Sequence, residues 1–466
     1  MYKLNFFNFK EFSTDEFLLT NDFGNFIFLS KNNFEKLINK NLTSTDSDYN
    51  KLIELGFIYE DEEVFFINFV EKLRVNKSAL FSRTKLHIFA LTNKCNLGCV
   101  YCQAKSSHLK NGVMKKEDAL KFVDIALSSS EKELDFEFQG GEPTLNFDVL
   151  KAIVEYTETK KNDKIIRYNL VTNLYNITDE MIDFLIKYNI GISTSLDGNL
   201  ELHNSNRISV ANNSFQNLKN NIKRLKEHYK KEEHSFNIGA IQTTTRKSLS
   251  NPQKIIDTFI ELGMDGIFLR PLSPLGNSID SWNKIGYTAE DFFKFYKEAL
   301  NYIIDLNKKG ILFKENNTAL FLKRIFQNSQ LNYMELRSPC GAVVGQLAYN
   351  YDGNIYSCDE GRMLKEIGDE IFKVGNSHSK YEDILNNPTT KSLLVSSCLE
   401  TVPQCSSCIF NQYCGTCPVY NYMAQNNIFA KQPENYKCKI NKGILEHIFY
   451  ILKYDEESKK IITSWL

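Results

Sequence analysis

Three thiols on one short stretch of chain can hold iron. Cys95, Cys99 and Cys102 follow an apolar run over 86–91 with the spacing Cys-x3-Cys-x2-Cys. Three thiolates so placed suit three irons of a 4Fe–4S cluster and leave the fourth iron open to a ligand, whereas electron-transfer clusters take four cysteines. The competing assignment is a zinc half-site or three buried cysteines. Zinc favours paired Cys-x2–4-Cys elements with a fourth ligand nearby, and the next histidine is His108. Eight further cysteines lie between 340 and 438. Cys340 and Cys358 enclose Gly353 as Cys-x12-Gly-x4-Cys, Cys398 stands alone, Cys405, Cys408, Cys414 and Cys417 form Cys-x2-Cys-x5-Cys-x2-Cys, and Cys438 comes last. Two Cys-x2-Cys knuckles are also a zinc pattern, so taken alone this segment stays open between zinc and iron.

Other polar residues gather at the ends of apolar runs. Gln139-Gly140-Gly141-Glu142-Pro143 ends the second run, Thr172-Asn173 the third, Ser193-Thr194-Ser195-Leu196-Asp197-Gly198 the fourth and Phe268-Leu269-Arg270-Pro271 the sixth. Glycines let a backbone approach a ligand closely, a glutamate can pair with an ammonium group, and an arginine can pair with a carboxylate. Read alone, Gly-Gly-Glu-Pro is a turn, Arg270 a surface ion pair and Asp197 an N-cap or turn residue. Asp359, next to Cys358, is either a base within reach of a substrate proton or the acceptor of a structural hydrogen bond.

The elements that position these groups alternate. Strands are expected over 86–91, 134–138, 168–172, 191–196, 236–242 and 266–272, and helices over 115–127, 147–160, 179–188, 215–229, 252–262 and 289–307. Six βα units argue for a parallel sheet curled into a partial barrel, whose chemistry sits at the C-terminal ends of the strands. Residues 1–85 read as a small winged-helix-like unit: strand-like runs either side of Asn21-Asp22-Phe23-Gly24, short helices over 34–38 and 49–55, and a strand over 57–59. Residues 311–466 read as loop-rich and in need of metal staples. The expected division is 1–85, 86–310 and 311–466.

Composition narrows the class. The chain has 466 residues, 42% apolar and 24% charged, the balance of a globular protein of two to four domains. Net charge is −1, which argues against nucleic acid as partner. No apolar run approaches the ~18–20 residues that span a bilayer, and the N-terminus carries no secretory h-region. A cytoplasmic location follows, with thiols reduced rather than paired.

The Cys-x3-Cys-x-Tyr-Cys loop of residues 95–102 resembles the signature of the radical S-adenosylmethionine (SAM) enzymes. The resemblance implies that SAM chelates the open iron and is reductively cleaved to a 5′-deoxyadenosyl radical, which abstracts hydrogen from substrate. It implies that the Tyr101 backbone lies near the adenine, and that Gly140, Gly141, Glu142 and Pro143 are the family's GGEP motif. Ser195 falls where the SAM ribose is contacted, and Arg270 is a candidate for the SAM carboxylate. Relatives often carry Thr-Asn-Gly where this chain has Thr172-Asn173-Leu174. The C-terminal cysteines resemble the SPASM extension with two auxiliary 4Fe–4S clusters, although the last spacing is x2 rather than x3. That pattern implies Cys405, Cys408, Cys414 and Cys438 for the second auxiliary cluster. Cys340, Cys358 and Cys417 would hold the first, with Cys398 the cysteine left for its fourth place. All eleven cysteines are then used in three clusters. In sulfatase-maturing relatives an aspartate at the place of Asp359 takes up the substrate proton. Arg337-Ser338-Pro339-Cys340-Gly341, Asp359-Glu360-Gly361-Arg362-Met363-Leu364 and Tyr413-Cys414-Gly415-Thr416-Cys417-Pro418 are similar to the maturases of ribosomally made peptides, the His-Xaa-Ser-system enzymes above all.

The expected function is therefore an oxidoreductase that modifies or cross-links a precursor peptide. Its expected partners are that peptide with its leader and an electron donor such as flavodoxin or ferredoxin. The N-terminal unit is similar in outline to leader-recognition domains, where a leader strand adds to a sheet edge; a plain capping domain is the other reading. Alternatives are a formylglycine-generating sulfatase maturase and, from another class, a non-catalytic iron–sulfur carrier.

Overall fold

The computed structural model describes residues 2–232, 238–327 and 333–466. Six expected strands appear in order: β1 (Leu86–Ala90), β2 (Glu133–Gln139), β3 (Ile165–Thr172), β4 (Gly191–Ser195), β5 (Ile238–Thr243) and β6 (Gly266–Arg270). Each is followed by its helix: α1 (Lys116–Leu127), α2 (Phe147–Lys160), α3 (Asp179–Lys187), α4 (Ser214–Lys231), α5 (Pro252–Glu261) and α6 (Ala289–Lys308). The first two residues of the strand expected over 236–242 lie outside the described residues. The helices start where chemistry dictates. The Thr178 hydroxyl accepts from Met181 N ahead of α3, and Thr288 with Asp291 forms a capping box on α6.

Neighbouring strands β1 to β6 pair in chain order, all parallel. Their helix-facing side stacks aromatic rings: Phe89 lies against Phe136 and Phe138, and Phe138 against Tyr168. Such double-sided burial is what parallel strands require.

The last third departs from the expected loop-rich segment. It supplies β7 (Lys314–Glu315) beside β6, and β8 (Gln346–Asn350) parallel to β1. Two antiparallel strands, β9 (Asn354–Tyr356) and β10 (Lys373–Asn376), then complete a ten-stranded sheet. It also holds long helices, Tyr436–Tyr454 among them. Tyr349 of β8 packs on Phe89 and Phe122 and bonds His87 Nδ1 at 2.9 Å, so the segment is built into the barrel core.

The N-terminal unit contains more than its sequence pattern indicated. Strand Phe7–Ser13 joins Glu16–Asn21 and Phe26–Ser30 in an antiparallel sheet, and helix Glu62–Asn76 follows. That helix has apolar residues all round (Val64, Phe65, Phe66, Ile67, Phe69 and Val70), so no one-sided stripe marks it. The unit docks on the cysteine-rich segment. The Thr20 hydroxyl donates to Ile409 O at 2.8 Å, Tyr413 OH to Gly24 O at 2.9 Å, and Phe26 packs edge-on against Phe449.

Candidate functional site

The cysteine loop leaves β1 and is held from several sides. Gly98–Cys99 pairs antiparallel with Arg207–Ile208, and Cys95 N bonds Ser107 O at 3.1 Å. The loop after β2 lies directly on it: Gly141 N donates to Thr92 O at 2.7 Å and Glu142 N to Lys94 O at 2.9 Å. A side chain at Gly140, whose φ is +138°, would meet Thr92 O at 2.4 Å, and one at Gly141 would meet Lys94 O at 2.2 Å. The two glycines thus admit the cysteine loop. Gly276 does the same from the far side, against the carbonyls of Cys102 and Gln103, and Asn277 N bonds Cys102 O at 2.9 Å.

Each sulfur of the trio has N–H donors aimed at it. Cys95 Sγ accepts from Leu97 N at 3.4 Å and Asn173 Nδ2 at 3.7 Å, Cys99 Sγ from Arg207 Nη1 at 3.7 Å, and Cys102 Sγ from Ser106 N at 3.4 Å. Burial pushes the Cys99 thiol up to about 12 and Cys95 higher still, and the neighbouring thiols add to both. Neighbouring sulfurs, one buried and two half-buried, that face N–H donors are suited to thiolates around a cation. The donor set fits an iron–sulfur cluster.

Glu142 is 1% exposed, and its carboxylate accepts four hydrogen bonds. They come from Thr144 N and Oγ1, Thr172 Oγ1 and Asn173 N, at 2.7–3.1 Å. The side chain therefore ties the loops after β2 and β3 together, and the adjoining Pro143 is buried. Leu174 stands at φ +51°, the conformation in which glycine is at ease. That costs about 1–2 kcal/mol, offset by the roughly 1.5–3 kcal/mol from burying a leucine; Leu174 is fully buried.

Ser195 ends β4, and just beyond it lies an ion pair that sequence reasoning missed. Asp197 is wholly buried and accepts from Tyr101 OH at 2.7 and 2.9 Å and from Arg207 Nε at 3.3 Å. Arg207 also lies over the Tyr101 ring, 5.3 Å from its centroid. The Tyr101 ring is therefore a packing and hydrogen-bonding element. The available signal was an Arg ten residues after an Asp-Gly turn, which is too weak to act on alone.

At the barrel mouth a cavity of about 320 Å3 is lined both by strand ends, Glu137, Gln139 and Arg270, and by Cys340, Cys358 and Cys417. Arg270 Nη2 lies 3.5 Å from Glu335 and 4.0 Å from Glu360. Asp359 Oδ1 accepts from buried Arg362 at Nε, 2.9 Å, and Nη2, 2.6 Å. Burial raises the Glu137 carboxyl, countered by amide donors from Gln139 and Asn169. Cys358 and Cys417 each cap a short helix: Gly361 N donates to Cys358 Sγ at 3.3 Å and Tyr420 N to Cys417 Sγ at 3.4 Å.

Cys405, Cys408, Cys414 and Cys438 line a second cavity, of about 270 Å3. Burial raises Cys405 and Cys414 to about 12, and the neighbouring thiols add to both. Cys398 is not brought to either set; its thiol donates to Glu400 Oε2 at 3.2 Å.

Residues 89–251 match the Radical SAM superfamily. The chain carries a radical SAM domain. That family implies SAM and a 4Fe–4S cluster. The chain is 24% identical over 369 residues to the radical SAM cyclopropyl synthase TigE of Paramaledivibacter caminithermalis, covering 73% of this chain and 69% of that protein. It is 26% identical over 382 residues to a cysteine-type anaerobic sulfatase-maturating enzyme of Clostridium novyi, covering 78% of this chain and 95% of that one. Among solved structures, native anSMEcpe with bound AdoMet and Cp18Cys peptide superposes with a TM-score of 0.64 at 21% identity, over 82% of this chain and 99% of that one. Streptococcus suis SuiB bound to precursor peptide SuiA gives 0.55 at 16% identity, over 92% and 98%. These structures share this chain's fold. Among the described residues no helix is long and apolar enough to cross a membrane.

Proposed function

We propose that this radical SAM enzyme is a peptide maturase with three 4Fe–4S clusters. Cys95, Cys99 and Cys102 hold the SAM-binding one. Cys340, Cys358 and Cys417 belong to the first auxiliary cluster, and Cys405, Cys408, Cys414 and Cys438 to the second. The observation that carries the reading is the mouth cavity, lined by barrel strand ends on one side and by the Cys340–Cys358–Cys417 thiols on the other. A peptide there would lie between the SAM site and an auxiliary site. The bound peptide of anSMEcpe and the bound precursor of SuiB, in their own proteins, support the substrate class.

Reductively cleaved SAM supplies hydrogen-atom abstraction; the chain supplies placement. Gly140 and Gly141 keep the cysteine loop seated, and Ser195, Arg270 and the backbone at Tyr101 orient SAM. Asp359, held by Arg362, is the candidate proton acceptor. In the N-terminal unit, strand Phe7–Ser13 is paired on one side only among the described residues and Phe9 is 53% exposed, which suits addition of a leader strand. Residues 1–85 are then the recognition domain, 86–310 the radical SAM barrel and 311–466 the SPASM segment, with a flavodoxin or ferredoxin as electron donor.

The test is anaerobic incubation of the reconstituted enzyme with SAM, reductant and the peptide encoded beside it. Formation of 5′-deoxyadenosine with a mass change in the peptide is expected. A carrier or scaffold makes no 5′-deoxyadenosine above background, and a sulfatase maturase leaves this peptide unchanged and converts a sulfatase peptide instead.

A further inference from the structure

A four-iron cluster held by protein alone takes four ligands, yet the mouth cavity presents three thiols, Cys340, Cys358 and Cys417. The remaining cysteine faces elsewhere. The Ser397 hydroxyl turns to the trio, accepting from Cys340 N at 2.9 Å, while the next residue, Cys398, directs its thiol to Glu400. Glu400 is itself fastened by an ion pair to Lys77 of the N-terminal unit and by the Ser338 hydroxyl at 3.1 Å. Bringing Cys398 to the trio would mean breaking that contact.

Glu360 lines the same cavity as the three thiols. It sits in the first turn of helix Asp359–Lys365, whose cap is Cys358, two residues away. The other carboxylate of that turn, Asp359, is already committed to Arg362 at 2.6 and 2.9 Å. Arg270, 4.0 Å from Glu360, and the half-buried Lys437, 4.0 Å from Glu335, supply cationic balance to this corner. A carboxylate is an acceptable iron donor.

We propose that Glu360 is the fourth protein ligand of the first auxiliary cluster, in the place the cysteine count would give to Cys398. The proposal rests on the reading of Cys340, Cys358 and Cys417 as a cluster site.

The experiment uses the full-length chain with Cys95, Cys99 and Cys102 replaced by alanine, so that all iron is auxiliary, about eight per chain. Iron content and EPR and Mössbauer spectra are recorded after anaerobic reconstitution for Glu360→Gln, Glu360→Cys, Cys398→Ala and Cys358→Ala. Cys398→Ala should keep its iron and spectra. Glu360→Gln should lose about one iron and show a three-iron signal, and Glu360→Cys should restore a four-iron cluster with an all-thiolate spectrum. The second auxiliary cluster, present in every variant, reports folding. Full iron with unchanged spectra in Glu360→Gln overturns the assignment, and so does loss of iron in Cys398→Ala. If Cys358→Ala loses no iron, the cluster reading itself fails.

Discussion

Asp197 and Arg207 form a pair whose removal should be costly in one combination and mild in another. Asp197 is wholly buried, Arg207 is 7% exposed, and Tyr101 OH bonds both oxygens of the carboxylate. Asp197→Leu leaves a guanidinium in the core facing only a tyrosine ring and a thiol, and should cost about 3–5 kcal/mol. Arg207→Met leaves the carboxylate with the Tyr101 hydroxyl, and falls at the lower end of that range. The double variant removes both charges and fills the space with apolar atoms. It should cost no more than the larger single change, a coupling of about 2–3 kcal/mol. The assay is urea unfolding of the iron-free, fully reduced protein, so that cluster binding adds nothing to the measured stability. Losses below about 1 kcal/mol for the single variants, or a double variant as unstable as the sum, would refute the argument that the pair is a desolvated ion pair.

Three further outcomes follow from local geometry. Gly141→Ala would place its Cβ 2.2 Å from Lys94 O, and should cost the protein about four irons at the SAM site while auxiliary iron stays, read by iron analysis. Burial lowers His87 from 6.5 to about 3, so between those values the unfolded chain binds one more proton than the native one. His87 should therefore contribute a fall in stability of about 1.4 kcal/mol per pH unit as pH drops below 6.5, beside the contributions of His203 and His447, which burial also lowers, and His87→Phe should reduce the slope by that amount in denaturation curves taken across acid pH. Phe9→Asp on the exposed edge strand should reduce modification of the full precursor about tenfold or more, with 5′-deoxyadenosine formation in its absence unchanged; equal modification would make the N-terminal unit a structural cap.

Where the chemistry needs only short spacing, it was legible. The six βα units show because burial on the barrel imposes apolar periodicity within each element. Cys95, Cys99 and Cys102 share a loop, so their separation in sequence is already their separation in space. The Gly140-Gly141 pair was read as admitting a ligand; the structure shows it admitting the cysteine loop, a distinction that requires knowing what lies opposite.

The rest depended on contacts between distant residues. Nothing in Gln346–Asn350 announces that it pairs with Leu86–Ala90 and extends the barrel sheet, because an apolar run does not name its partner strand. The Asp197–Arg207 pair is invisible as two ordinary charges until burial makes each require the other. The count of eleven cysteines suggested that every thiol finds iron; in the structure the Cys398 thiol donates to Glu400 instead. The chain by itself determined the barrel's elements and the thiols available, since both follow from local periodicity and spacing. Which side chains meet was decided by docking of the N-terminal unit and the last third onto the barrel, where desolvation selects partners hundreds of residues apart.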